Sequence, residues 1–228
     1  MRRLLPEPAD DVSVEGAYAA PLGSHPDRPW VGLCMVASID GSAVFEGTSG
    51  GLSNPTDAAV LGQLRRIADV VIVGAGTVRD EGYGAPQKTG QRIGVVTRSA
   101  DVDLSGELFA SGTGFLITSE GTEVPSRSVD VLRAGRDEVD LAAAIRRLDE
   151  VSEVCRFVQA EGGPALNGAL LEDDLLDELN VTTSATTVGG SGPRLATGAD
   201  HRRDRYELRQ LAIDEQSFLY ARWLRRRR

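Results

Sequence analysis

The sequence predicts an α/β fold built on a mixed, mostly parallel sheet, and three observations carry that prediction. Short β-branched apolar runs alternate with helical patterns, at residues 70–73, 93–97 and 115–118 among others. Alternation of this kind builds a sheet flanked by helices. Residues 30–39 are apolar at nearly every position, which suits a central strand covered on both faces. Finally, residues 206–213 and 217–224 alternate apolar and polar on either side of Asp214-Glu215-Gln216, the pattern of an antiparallel hairpin that closes the sheet.

In chain order, residues 1–29 are rich in proline, glycine and charge and show no sustained period, so they read as an irregular surface lead-in. Residues 30–224 form one domain and residues 225–228 a basic tail; five of the last seven residues are arginine, Arg222 and Arg225 to Arg228, and they read as solvated. After the first strand, Asp40-Gly41 ends the apolar run and residues 46–53 form a glycine- and hydroxyl-rich loop containing Ser49. A helix follows, with Asn54 as N-cap, Pro55 in the first position and Ala58, Leu61, Leu64 and Ala68 along one face. Arg65 lies beside that stripe and is either a solvated charge or a ligand contact. The strand at 70–73 runs into Gly74-Ala-Gly-Thr77, half of a phosphate cradle, and Asp80 to Gly84 continue as an acidic loop. The turn is not a dinucleotide fingerprint, because Arg79 stands where the third glycine is required, and no P-loop lysine follows. Thr97-Arg98-Ser99 ends the next strand and is either a surface turn or a grip for an adenosine 2′-phosphate. Further strands fall at 115–118 and 128–132, and Asp140 caps a helix that turns Leu141, Ala144, Ile145 and Leu148 inward.

The organising stretch is residues 155–171. Phe157 and Val158 belong to a strand that breaks at Glu161-Gly162-Gly163-Pro164, after which Leu166, Ala169 and Leu170 recur at helical spacing. Pro164 suits a first helical position, and two glycines ahead of it let backbone N–H groups approach a ligand. Those donors and the helix dipole suit a phosphate, although an ordinary strand-to-helix turn would use the same glycines. A strand over residues 179–185 follows, then the glycine cluster 188–194, which is either a plain loop or a second anion-facing turn with Arg194 as its charge.

Composition excludes several classes. At 228 residues with 41% hydrophobic content the chain can bury a sizeable core. A net charge of −9 argues against nucleic-acid binding. No apolar run reaches the ~18 residues of a membrane span, and Pro6 interrupts any secretory h-region, so a cytoplasmic protein is expected. Cys34 and Cys155 lie in apolar runs and read as buried free thiols. With His25 and His201 in irregular polar segments, neither a metal cluster nor a histidine-based nucleophile is expected, and the zinc deaminase signature is missing. So few reactive side chains suit a reaction whose hard chemistry a cofactor carries, such as hydride transfer, with Glu161 and Asp40 at strand ends as the nearby carboxyl groups.

Taken together, Val36-Ala-Ser-Ile-Asp-Gly41, Gly74-Ala-Gly-Thr-Val78 and Glu161-Gly-Gly-Pro-Ala-Leu166 followed by Leu176-Asp-Glu178 resemble the pyrimidine reductase domain of riboflavin biosynthesis over residues 30–224, in the stand-alone form found in actinobacteria. The resemblance implies a dihydrofolate reductase-like fold, usually a homodimer, that binds NADPH. It places Val36, Gly74, Gly76, Thr77 and Glu81 at the cofactor, Gly162, Gly163, Pro164, Ala165 and Leu166 around its diphosphate, and Thr97 and Arg98 at its 2′-phosphate. Ser49, Arg65 and Glu161 match substrate-binding positions, with Glu161 positioning substrate and Asp40 giving polar support. The implied activity is reduction of 5-amino-6-(5-phosphoribosylamino)uracil by hydride transfer to the ribosyl C1, without the deaminase activity of fused family members. Cys34 stands where the family has a substrate-facing lysine, and Met35 and Val36 make the neighbourhood apolar. That departure keeps open a flatter pterin-like substrate such as dihydrofolate, or an NADPH-binding module without catalysis.

Overall fold

The computed structural model of the chain describes residues 1–226, so Arg227 and Arg228 of the expected tail lie outside the described residues. One ten-stranded sheet has the order β1-β9-β10-β8-β2-β7-β3-β4-β5-β6. Its strands are β1 (Arg2–Leu5), β2 (Trp30–Ala37), β3 (Val70–Gly74), β4 (Arg92–Val96), β5 (Gly114–Thr118), β6 (Asp130–Arg133), β7 (Phe157–Ala160), β8 (Glu178–Thr183), β9 (Tyr206–Ile213) and β10 (Leu219–Arg225). The helices are α1 (Val14–Ala17), α2 (Pro55–Ile67), α3 (Ala75–Glu81), α4 (Glu107–Ala110), α5 (Leu141–Arg146) and α6 (Pro164–Glu172). Strands β8 through β6 run parallel. Strand β10 is antiparallel to both β8 and β9, so the predicted hairpin is present.

The parallel strands are apolar because both faces are covered. Val31, Leu33, Val70, Ile72, Val158 and Ala160 pack on one face with α5 and α6. Val71, Val73, Ile93 and Val95 pack on the other with α4, while Cys34 packs there with Val60 and Leu64 of α2. Helix α2 starts where its cap requires: the Asn54 side chain accepts from the Asp57 amide at 2.8 Å. Asp140 caps α5 in the same way through the Ala143 amide. Strand β7 lies between β2 and β3 although it comes much later in the chain. Their carboxyl ends therefore lie side by side, the place where parallel sheets bind ligands.

Three expectations need correction. Residues 1–29 are not an irregular lead-in: β1 pairs with β9 and becomes the sheet edge, while Ala17 and Tyr18 are buried. The segment is tied down over long range, because the Leu22 amide and the Trp30 indole both donate to Glu178 and Arg28 pairs with Asp177. Pairing of this kind depends on residues more than a hundred positions away and leaves no local period. Second, Arg222 and Arg225 are not solvated. Arg222 is buried against Glu178 and Asn180, and Arg225 belongs to β10 and pairs with Asp174 and Asp204. Third, Asp80 and Glu81 lie in α3, so the loop begins only at Gly82 and carries neither of the expected acids. Cys34 is buried as expected, and Cys155 is only partly so.

Candidate active site

The carboxyl ends of β2, β7 and β3 open into a cavity of about 530 Å³. Cys34, Met35 and Val36 at the end of β2 form part of its wall. Ala43, Val44 and Ser49 of the following loop, Asp57 and Leu61 of α2, and Thr77 and Glu81 of α3 complete much of the rest.

Two glycine corners meet at one side. The chain leaves β7 through Glu161, crosses a cis Gly162–Gly163 peptide bond and enters α6 at Pro164. Gly162 has a φ of 84°, in the left-handed region that glycine alone adopts readily. The Gly74 amide donates to the Gly162 carbonyl at 2.6 Å, so the start of α3 is bonded to the approach to α6. A Cβ on Gly163 would lie 2.7 Å from Thr77 Oγ1. No side chain caps α6 at Gly163, which leaves its first-turn amides and the positive end of its dipole to a ligand.

Beside this corner Glu161 is buried and fully engaged. Arg65 Nε and Nη2 donate to its two carboxylate oxygens at 2.6 and 2.5 Å, and the Tyr83 hydroxyl donates to Oε2 at 2.8 Å. The guanidinium also lies 5.3 Å from the Tyr83 ring centroid. Burial opposes the Arg65 charge, but its bonds to Glu161 outweigh burial and hold its pKa above the ordinary value. Burial, helped by the Glu161 charge, likewise pushes the Tyr83 hydroxyl up, so both groups stay protonated. Burial also raises the Cys34 thiol well above its usual range, with the carboxylates of Asp57 and Glu161 adding to the effect. Cys34 is therefore a neutral thiol in the cavity wall. On the far side of Tyr83 a second cavity of about 340 Å³ is lined by Arg65, Arg66 and Lys88.

The structure brings Val36, Ser49, Thr77, Glu81, Glu161, Gly163 and Pro164 to the larger cavity. Gly74 and Gly162 lie directly behind it through their mutual bond, Ala165 and Leu166 lie in the first turn of α6, and Gly76 is in α3. Arg65 is paired: its guanidinium clamps the Glu161 carboxylate. Asp40 stands apart from the cavity lining. Hydrogen bonds from Ser38 and from the Gly189 and Val188 amides hold its carboxyl down at about 2, so it fastens one loop to another. Thr97 and Arg98 end β4 outside the cavity lining, where the Thr97 hydroxyl accepts from the Ala100 amide and Arg98 is exposed. Sequence reasoning missed Tyr83 and Asp57. Tyr83 lies in a loop without periodicity, whereas Asp57, three residues after a recognised N-cap, had a readable position.

Strand ends that present two joined glycine corners beside a clamped, buried carboxylate form a site of the kind α/β reductases use for a nucleotide cofactor. The chain belongs to the RibD C-terminal domain family, the reductase family of riboflavin biosynthesis, whose model matches residues 29–217. Among solved structures, a pyrimidine reductase-like protein of Corynebacterium diphtheriae is 25% identical and superposes with a TM-score of 0.81, covering 95% of this chain and all of that one. The riboflavin biosynthesis reductase Rib7 of Saccharomyces cerevisiae is similar at 20% identity and a TM-score of 0.70, with 90% and 93% of the two chains covered. RibD of Acinetobacter baumannii is 18% identical with a TM-score of 0.72; 89% of this chain corresponds to 59% of that one. Comparison with curated protein sequences gives no match. No helix among the described residues is long and apolar enough to cross a membrane.

Proposed function

We propose that this protein is an NADPH-dependent pyrimidine reductase that delivers hydride to the C1 carbon of an open-chain glycosylamino imine, the step by which 5-amino-6-(5-phosphoribosylamino)uracil becomes its ribityl counterpart. The observation that carries the reading is the bond between Gly74 and Gly162, which joins two distant glycine corners beside one cavity. The residues fit a dinucleotide: the uncapped first turn of α6 offers amides to a diphosphate, and Gly163 packs too closely on Thr77 to leave room for a side chain. Bound NADPH supplies the hydride. The chain's own residues bind, orient and exclude water. Arg65 and Tyr83 fix the Glu161 carboxylate at the border between cofactor and substrate regions, and preorganisation of that kind supplies much of an enzyme's rate when few side chains react. Exposed Arg98, at the end of β4, would select the 2′-phosphate.

Incubation of the purified protein with NADPH and 5-amino-6-(ribosylamino)uracil, offered with and without its 5′-phosphate, should oxidise the cofactor. Unchanged nicotinamide absorbance with both at high enzyme concentration would reject the activity. Arg98→Ala should weaken NADPH binding much more than NADH binding; equal losses would remove the cofactor preference. A pterin reductase is the second reading, favoured by the neutral wall at Cys34, and the same assay with a dihydropterin separates it.

A further inference from the structure

One residue in the strand behind the larger cavity does not suit its surroundings. Strand β7 is buried throughout, and Phe157, Val158 and Ala160 are apolar, but Gln159 stands among them at 0% exposure. Neither polar atom of its amide makes a hydrogen bond of ordinary geometry among the described residues. Burying an amide in that condition costs stability, and a leucine or methionine would fill the place without that cost. Residues that act against the fold in this way are expected at functional sites. Across the sheet Gln159 is flanked by Gly32 of β2 and Val71 of β3, and neither offers a polar side chain. Side chains alternate between the faces of a strand, so Gln159 shares its face with Gly32 and with Cys34, two residues further along β2. The Cys34 thiol lies within reach of the Gln159 amide, whose N–H favours negative charge on the sulfur, and the same thiol forms part of the cavity wall.

We infer that Gln159 is a positioning residue that acts through Cys34: its amide N–H donates to the sulfur from behind, which turns the S–H toward the cavity, where it donates to a carbonyl oxygen of the bound ring. The thiol suits this task because it keeps its proton. Burial raises its pKa, and the carboxylates of Asp57 and Glu161 add to the effect, outweighing the opposing contributions of Arg65 and Gln159. Beside two carboxylate acceptors the neutral thiol is the donor. An S–H group is a weak donor, and fixing its direction before the ligand arrives recovers part of that weakness, because less rotor freedom is lost on binding. The unsatisfied amide thus has a role that the fold alone does not give it.

The inference rests on the reductase reading only for placing a ring in this cavity, so ring binding and NADPH oxidation are measured separately. Calorimetry, with and without unreactive NADP+, follows 5-amino-6-(ribosylamino)uracil and 6-methyl-7,8-dihydropterin, which both carry a ring carbonyl. Gln159→Met should unfold at the same or a higher denaturant concentration while the better-bound probe weakens about 3- to 10-fold. Cys34→Ala should weaken that probe to a similar degree, and Cys34→Ser should bring it back to within about twofold of the unaltered protein. Adding Gln159→Met to Cys34→Ala should then change affinity by less than about twofold, because the two residues act as one unit. A merely structural glutamine would instead lower stability when replaced and show no such coupling. Gln159→Leu repeats the comparison if the first glutamine variant does not fold. Lost stability in both glutamine variants, unchanged affinity in either, additive losses in the double variant, or no binding of either probe by the unaltered protein overturns the inference. A probe that binds with this coupling while NADPH stays unoxidised would sink the reductase reading and leave the inference standing.

Discussion

The two halves of the cavity are built from different materials. The glycine corner is made of backbone: the Gly74 amide, the Gly162 carbonyl and the first turn of α6. The opposite half is made of side chains that reach in from separate elements, Asp57 from α2, Tyr83 from the loop after α3 and Cys34 from β2. Backbone sites need particular φ values and close approach, which few residues allow. Side-chain sites need only that distant elements pack in register, so one charge can be exchanged while the fold persists. On the proposed reading, the contrast places the conserved-looking glycine motifs on the backbone half and the departure at Cys34 on the side-chain half.

The largest break in this contrast should come from Glu161, where the halves meet. Glu161→Ala leaves the Arg65 guanidinium without its carboxylate. Removing one partner of a fully buried pair costs about 3–5 kcal/mol, and since the Arg65 side chain is 36% exposed the expected loss is nearer about 2 kcal/mol. Turnover should fall about 100-fold because substrate and cofactor lose their common reference point. Denaturant melts and steady-state kinetics test both, and full activity would separate Glu161 from the chemistry.

A purely backbone lesion comes next. Gly163→Ala places a Cβ against Thr77 Oγ1 and should raise the NADPH dissociation constant about tenfold, at a stability cost of about 1 kcal/mol. If NADPH affinity did not change, the corner would not be the diphosphate site. Tyr83→Phe removes one of three hydrogen bonds to Glu161, for a stability loss of about 1 kcal/mol. Its kinetic signature should be a raised KM with kcat nearly unchanged, since the Arg65 fork still holds the carboxylate; a collapse of kcat alone would assign Tyr83 to the chemical step.

The smallest effect should lie at Asp40. Its hydrogen bonds lower the folded-state value to about 2, below the ordinary carboxyl value, so its contribution is complete above the ordinary value and lost as pH falls through about 2. At neutral pH Asp40→Ala should therefore speed amide exchange at Val188 and Gly189 without changing turnover. In acid near pH 2 the variant and the unaltered protein should converge. A large loss of turnover would return Asp40 to the active site.

Much of the fold was readable because its signals are local. The continuous apolar character of residues 30–37, the Asn54-Pro55 start of α2 and the glycine-proline entry to α6 each reflect a constraint within a few residues. The misreadings share one cause. Strand β1, Arg222 and Arg225 look like surface in a linear reading because their partners are β9, Glu178 and Asp174. Arg65 was ambiguous for the same reason: its partner Glu161 follows 96 positions later.

By itself the sequence determined the α/β class, the central strand and the two glycine corners, because backbone geometry restricts which residues can stand there. Only the tertiary structure decided that the corners touch, that Arg65 is committed to Glu161 and that the cavity lining is acidic. Those outcomes depend on β7 lying between β2 and β3, a pairing of segments far apart in the chain that no local period encodes.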